Sequence, residues 1–270
     1  MKNFNDKVVV ITGAASGMGR AYALAFATLG SRLALCDLEL DALEETMGLV
    51  RDISEKQHLL EAFDISERDA VNRFAATVEA ELGPADILIN NAGIEGSGKP
   101  AWMTSAECYQ RVMAVNYFGV VNGCCAFLPS MRQRNQGVIV NVSSVFGLAG
   151  MPSNTDYCSS KFAVRGFTEA LMAELVATGI QVHSVHPGGI NTNITRQQHT
   201  QKFSQQYLKT SPDDFAQHVI QCIKKNKARV IYGYGARKIV WGSRLLSLPG
   251  FCRAAWRELQ QMVDMGDYRR

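Results

Sequence analysis

Three side chains in this 270-residue chain have the types and spacing for proton chemistry. Tyr157 and Lys161 stand four apart in the stretch SSVFGLAGMPSNTDYCSSK. On a helix that spacing puts both on one face, one turn apart. An ammonium beside a phenol favours the phenolate, and bringing a tyrosine from its reference pKa of about 10 toward neutrality takes roughly 4 kcal/mol of differential stabilisation. A lysine together with a cationic ligand ring would supply that. Ser144 closes the apolar run GVIVNVSS, the pattern of a buried strand whose C-terminal end carries the hydroxyl. Strand end and helix face then converge. Tyr and Lys four apart also occur on ordinary solvated helix edges, so the pair gains its meaning from the elements around it.

Those elements alternate. The β-branched run Lys7 to Ile11 leads into TGAASGMG and then into RAYALAFATLG, which has helical spacing and Gly30 as its C-cap. In this strand–turn–helix unit Gly13, Gly17 and Gly19 let the backbone bend and approach a ligand's phosphates, and the helix N-terminus offers unpaired N–H groups to the anion. A second strand, SRLALCD, ends in Asp37, placed to hold the adenosine ribose hydroxyls of a dinucleotide. Asp37 would repel a 2′-phosphate, and Leu38 beside it is not basic, so NAD is favoured over NADP. A helix over 40–51, a strand over 58–63 ending at Asp64, and a helix over 67–82 capped by Ser66 follow. A strand over 86–89 then runs into NNAG, Asn90 to Gly93. One long helix over 104–131 contains Asn116 among apolar neighbours, a costly placement unless its amide is bonded. A strand over 137–142, a helix over 156–177, a strand over 180–185 before HPGGINT, a helix capped by Ser211 and a strand over 228–232 complete the pattern. Such alternation implies an α/β fold: a single-domain Rossmann fold over residues 1–270, a doubly wound parallel sheet of about seven strands with helices on both faces.

The composition narrows the function. A net charge of +3 gives no ground for nucleic-acid binding, and seven cysteines, an odd number without metal-ligand spacing, read as reduced thiols with no metal site. No leader segment and no membrane span are expected, which places the protein in the cytoplasm. His183 and His186 at a strand end are read as structural.

With these motifs in order, the chain resembles the short-chain dehydrogenases/reductases. The resemblance rests on TGxxxGxG at Thr12 to Gly19, NNAG at Asn90 to Gly93, Asn116, Ser144, YxxxK at Tyr157 to Lys161, and PGxxxT at Pro187 to Thr192. It implies hydride transfer between NAD(H) and a secondary alcohol or ketone. Tyr157 would serve as general acid/base, Lys161 would tune it and hold the nicotinamide ribose, Ser144 would bond the substrate oxygen, and Asn116 would bind a relay water. It further implies a cofactor site of Thr12, Gly13, Ser16, Gly17, Met18 and Gly19 at the pyrophosphate, Asp37 and Leu38 at the ribose, and Asp64 and Ile65 at the adenine. Asn91, Ala92 and Gly93 would form the adenosine-side wall, with Pro187, Gly188, Ile190 and Thr192 near the carboxamide. A homodimer or homotetramer is the implied assembly. The rival reading is a non-enzymatic NAD-binding sensor or scaffold, whose mark would be loss of Ser144, Tyr157 or Lys161.

The substrate contacts are expected from Ser144, Val145, Phe146 and Tyr157, continuing over Leu148, Met151 and Pro152. A polar lid over 193–210 is expected to close over them, with Arg196, Lys202, Phe203, Tyr207 and Lys209 among its members. The segment 236–270 pairs apolar residues with Arg237, Lys238, Arg244, Arg253 and Arg257. Three destinations fit that amphipathic pattern: its own domain, a partner subunit, or peripheral contact with a membrane. The apolar pocket residues lean toward a lipophilic substrate.

Overall fold

Runs such as VVVIT, with no polar alternation, are suited to strands covered on both faces. The computed structural model, which describes residues 1–192 and 205–268, places seven of them side by side. They are β1 (Val8–Thr12), β2 (Arg32–Asp37), β3 (Leu59–Ala62), β4 (Ile87–Asn90), β5 (Gly137–Val142), β6 (Ile180–Pro187) and β7 (Arg229–Tyr232). Their order in the sheet is β3-β2-β1-β4-β5-β6-β7, and every pair is parallel. The chain winds outward from β1 to β3, then returns past it to β4. The crevice beyond the β1 and β4 ends is therefore the switch point where open α/β sheets bind ligands.

The helices are α1 (Gly17–Thr28), α2 (Leu40–Ile53), α3 (Arg68–Leu82), α4 (Ala106–Met113), α5 (Gly119–Gln133), α6 (Thr155–Glu174), α7 (Pro212–Lys224), α8 (Ala236–Leu245) and α9 (Leu248–Leu259). Alternate residues of β1 point to opposite faces: Val9 and Ile11 pack with Tyr22, Phe26, Leu43 and Phe215, whereas Val8 and Val10 pack with Phe74, Val78, Val164 and Leu171. Each such side chain taken fully out of water contributes about 1.5–3 kcal/mol. The two layers thus hold the strand ends, and the motifs on them, in fixed positions.

Several expectations change. The long helix over 104–131 is interrupted: α4 and α5 are joined through a π-helical turn, Ala114–Phe118, which carries Asn116. Such single-turn bulges often mark functional positions. The stretch 112–131 is uncharged, contrary to the expectation that no run reaches spanning length, and the helix over 106–133 is long and apolar enough to cross a membrane. Half of its most apolar window is buried inside the protein, with Val120, Cys124, Phe127 and Met131 in the core, so it packs as a core helix. Ser66 does not cap α3, whose N-cap is Glu67; its hydroxyl and amide both donate to Asp64, which turns the chain there. The C-cap of α1 is Leu29, with Gly30 following at φ 76°, a left-handed conformation that suits glycine. Ser211 does cap α7, accepting from the Asp213 amide.

The C-terminal segment returns to its own domain. Phe251 and Ala255 of α9 are buried against Ala149, Met151 and Cys158, with Phe146, Ile239 and Leu259 around them. Farther on, the Tyr268 hydroxyl lies 2.6 Å from Ser153 Oγ, and Lys99 Nζ pairs with Asp267 at 2.8 Å. The Tyr268 ring sits between Trp102 and Trp256, with ring centres 5.3 and 4.8 Å away. Of the expected lid, residues 193–204 lie outside the described residues, Arg196, Lys202 and Phe203 among them. In the remainder, Tyr207 is hydrogen-bonded to Glu258 of α9, and Lys209 Nζ stands 5.0 Å from the Tyr234 ring centre.

Candidate active site

The glycine turn is built from backbone requirements. Gly13 has φ 67°, and a Cβ there would come within 2.7 Å of the Ala92 backbone. At Gly19 an added Cβ would overlap the Gly13 carbonyl. Gly17, at φ 54°, faces Thr192, whose Cβ would lie 3.0 Å from an added methyl. The first and last of the sequence motifs therefore meet across one narrow cleft. Ser16 is the N-cap of α1 but makes no side-chain cap bond, which leaves the first-turn N–H groups directed at the cleft. Met18 packs beneath on the core.

Side-chain bonds tie this turn to NNAG. Thr12 Oγ1 accepts from the amides of Asn91 and Ala92, both at 3.0 Å, and Asn91 Nδ2 donates to the carbonyls of Thr12 and Gly13. Asn90 reaches the other way, donating to Asn141 Oδ1 on β5 at 2.9 Å. Asp37 accepts from Ala15 N at 2.8 Å and from Leu38 N at 2.7 Å, which sets a carboxylate at the edge of the turn, while the Leu38 side chain is exposed. Asp64 is held by Ser66 and by Arg111 Nη1 at 2.7 Å. Burial alone would raise its pKa, but those partners outweigh it and keep the carboxyl below its usual range. Ile65 is buried beside Gly119. Ile190 turns its side chain into the core, so a ligand would meet its backbone, and Gly188 pairs with Tyr232 at the end of β7.

The reactive groups converge from β5, α6 and the π-helical turn. Ser144 Oγ accepts from the Phe146 amide at 3.1 Å, and its own hydrogen remains to be donated; it is hydrogen-bonded to the Tyr157 phenol. The Phe146 ring stands edge-on to that of Tyr157, with centres 6.2 Å apart, and Val145 is buried behind it. Lys161, 3% exposed, donates to the Val142 carbonyl at 3.2 Å, with Nζ 5.7 Å from the Tyr157 ring centre. Burial pushes the Tyr157 phenol up to about 12, against the lowering effect of Ser144, and brings Lys161 down to about 8. Both shifts disfavour the charged forms. A nearby positive charge from a ligand would oppose the effect of burial on Tyr157.

Asn116 is fully buried and satisfied: its Oδ1 accepts from Ile94 N at 2.7 Å, and its Nδ2 donates to Ile94 O and to Ser160 Oγ. The side chain thus clamps the segment after NNAG onto α6. Gly93 keeps the space beside it open, since a Cβ there would come 3.2 Å from both Asn116 Oδ1 and Lys161 Nζ.

Several supporting residues escape a reading by motif. Asp156 is fully buried one residue before Tyr157 and accepts from the amides of Ser97 at 2.6 Å and Tyr157 at 2.8 Å and from the Cys108 thiol. His186 Nδ1 donates to the Ser144 carbonyl at 3.1 Å, which leaves Nε2 to accept from the Ser184 hydroxyl at 2.9 Å. Burial brings its pKa down to about 4, so it is a neutral prop. His183, likewise buried, donates to Lys227 O. The sequence signal for the two histidines is their place at a strand end, from which they are read as structural; Asp156 has none. Among the described residues no cluster of three His, Cys, Asp or Glu forms a candidate metal site.

The cleft suits a dinucleotide. Three glycine positions hold space that a Cβ would fill, α1 presents open N–H groups, and buried Asn91 Oδ1 finds no protein partner. Known proteins share the chain's sequence pattern and fold. Residues 7–202 match the short chain dehydrogenase family. The putative oxidoreductase SadH of Mycobacterium tuberculosis is 38% identical over 251 residues, covering 88% of this chain and 90% of its own. Cyclopentanol dehydrogenase of Comamonas is 38% identical over 197 residues, covering 73% and 78%. The crystal structure of a short chain dehydrogenase/reductase from Burkholderia phymatum in complex with NAD superposes with a TM-score of 0.83 at 30% identity, covering 96% of this chain and 97% of that one. The chain belongs to the short chain dehydrogenase family, the oxidoreductases of hydride transfer.

Proposed function

We propose that this protein oxidises a lipophilic secondary alcohol with NAD, or reduces the corresponding ketone with NADH. The observation that carries the reading is the convergence of the Ser144 hydroxyl, the Tyr157 phenol and the Lys161 ammonium beside the open lane at Gly93. Bound there, an oxidised nicotinamide supplies a hydride acceptor and a positive ring charge. Tyr157 takes the hydroxyl proton of the alcohol as general base, or returns it to a ketone oxygen. Ser144, whose oxygen already accepts from Phe146 N, donates its hydrogen to the substrate oxygen and stabilises charge developing on it. Lys161 favours the phenolate through its field and presents donors to the cofactor ribose. Asn116, committed to Ile94 and Ser160, fixes the floor of the lane rather than joining the reaction by its side chain.

Asp37 supports NAD over NADP, because its carboxylate would repel a 2′-phosphate. Arg20, the basic residue just past the turn, is already committed: Nε donates to Thr46 Oγ1 at 2.9 Å, and Nη2 to Ala15 O at 2.7 Å. The lipophilic preference rests on the apolar surround of Phe146, Met151, Phe251 and Leu259.

The test is formation of reduced nicotinamide with NAD or NADP and secondary alcohols graded from short-chain to steroid-sized. Expected are turnover that rises with substrate apolarity, a preference for NAD, and a loss of roughly 10²–10⁴-fold in Tyr157→Phe. Tight NAD binding without turnover of any alcohol or ketone would replace this reading with the sensor.

A further inference from the structure

The helical hairpin of α8 and α9 has two unlike faces. Its inner face, with Ile239, Val240, Phe251 and Ala255, packs on the domain. Around the turn between the helices, four large apolar side chains point to solvent: Trp241 is 59% exposed, Leu245 76%, Leu246 46% and Leu248 76%. Trp241 and Leu245 are four apart and share one stripe of α8 with Arg237, and Leu248 opens α9. Arg244 is exposed beside this tip, and Arg237, Arg253 and Arg257 are exposed farther along the two helices.

The charge is unusually segregated. From Gly235 to Arg257 the chain has five basic residues and no Asp or Glu. The whole chain carries +3; this hairpin, Glu258 included, supplies +4, leaving −1 for everything else. Lys238 is paired with Glu258 at 2.8 Å, and the four arginines form none of the ion pairs found among the described residues.

We infer that the α8–α9 turn docks on an anionic lipid bilayer. Trp and Leu side chains at a helix turn suit the boundary between headgroups and acyl chains, and arginines can lay their stems on apolar surface while their heads meet lipid phosphates. A second copy is the less suitable occupant. A two-fold contact places a patch on itself, so these arginines would meet one another. The buried side of the same hairpin lines the loop after Ser144, so docking would bring that loop to the bilayer surface. The docking does not depend on the reaction proposed above, and its readout needs no turnover.

The experiment is flotation of the full chain with vesicles of phosphatidylcholine alone and of phosphatidylcholine with about one-third phosphatidylserine. It is run at low salt and at about half-molar salt, alongside light scattering without lipid. Expected is binding to the anionic vesicles, weakened at least tenfold by salt or by leaving out phosphatidylserine. The doubly substituted Leu245→Glu/Leu248→Glu chain should lose it while keeping its melting temperature, since both positions are exposed. Arg244→Ala/Arg253→Ala should weaken anionic binding severalfold and leave the self-association state unchanged. Failure of the wild type to float would overturn the proposal. So would binding indifferent to the Leu245→Glu/Leu248→Glu change, or an oligomer that this change dissolves, which would assign the face to a second copy.

Discussion

The cofactor side and the substrate side of the cleft are held by different kinds of contact. On the cofactor side, backbone meets backbone: the Gly13 turn presses on Ala92, and Thr12 bonds the amides of Asn91 and Ala92. The proposed substrate side is a layer of side chains brought from far along the chain, with Phe251 on Met151, Tyr268 on Ser153 and Asp267 on Lys99. The first kind tolerates few residue types at each position. The second accepts many side chains of suitable volume, so it can change with the substrate while the first stays fixed.

The sharpest break of this contrast is Gly19→Ala. The added methyl would overlap the Gly13 carbonyl, and neither backbone can yield without opening the turn. We expect a stability loss of about 3 kcal/mol in a denaturant titration and at least a tenfold loss of NAD affinity by calorimetry. Retention of wild-type affinity would show that the turn is not what holds the cofactor.

His186 sits on the border between the two sides and is next in size. The unfolded imidazole takes its proton near 6.5 and the buried one only near 4, so between these values the unfolded chain binds more protons and stability falls as the pH falls. The loss through this window is on the order of 3 kcal/mol. His186→Asn, which keeps a donor near the Ser144 carbonyl but does not titrate, should flatten that slope in thermal melts from neutral to mildly acidic pH.

Phe251→Ala tests the substrate side directly. At the domain's rim it should cost on the order of 2 kcal/mol and raise KM for a bulky alcohol, while NAD affinity stays as in the wild type. An equal effect on NAD would mean that the two sides are not separable. Smallest is Lys99→Ala, which removes a partly exposed ion pair with Asp267 and should barely move the midpoint of a chemical denaturation.

The same contrast explains what could be read from the sequence. Strands showed as β-branched runs, and the glycine turn, NNAG, Ser144 and the Tyr157–Lys161 pair showed as motifs, because each answers a local demand of backbone or chemistry. Asp156 did not show. Its buried carboxylate makes sense only once Ser97 and Cys108 are folded against it. Ser66 had the residue type of a cap yet was taken up by Asp64, since local pattern cannot rank two competing partners for one hydroxyl. The destination of the segment after β7 was also open in the sequence, because an amphipathic helix states that it has an apolar face and not what covers it.

The π-helical turn at Ala114–Phe118 carries a consequence for how this helix can vary. An α-helix advances about 100° per residue, so the extra residue in the turn sets α4 and α5 out of phase by roughly that angle. Their apolar stripes therefore cannot be aligned as one continuous repeat. Deleting a single residue near Asn116 would restore a regular helix and at the same time rotate every side chain of α4 by about a quarter turn relative to α5. Length, rather than side-chain identity, is then the property under constraint here: substitutions along α4 can be absorbed one at a time, while a one-residue insertion or deletion changes the bearing of all of them together.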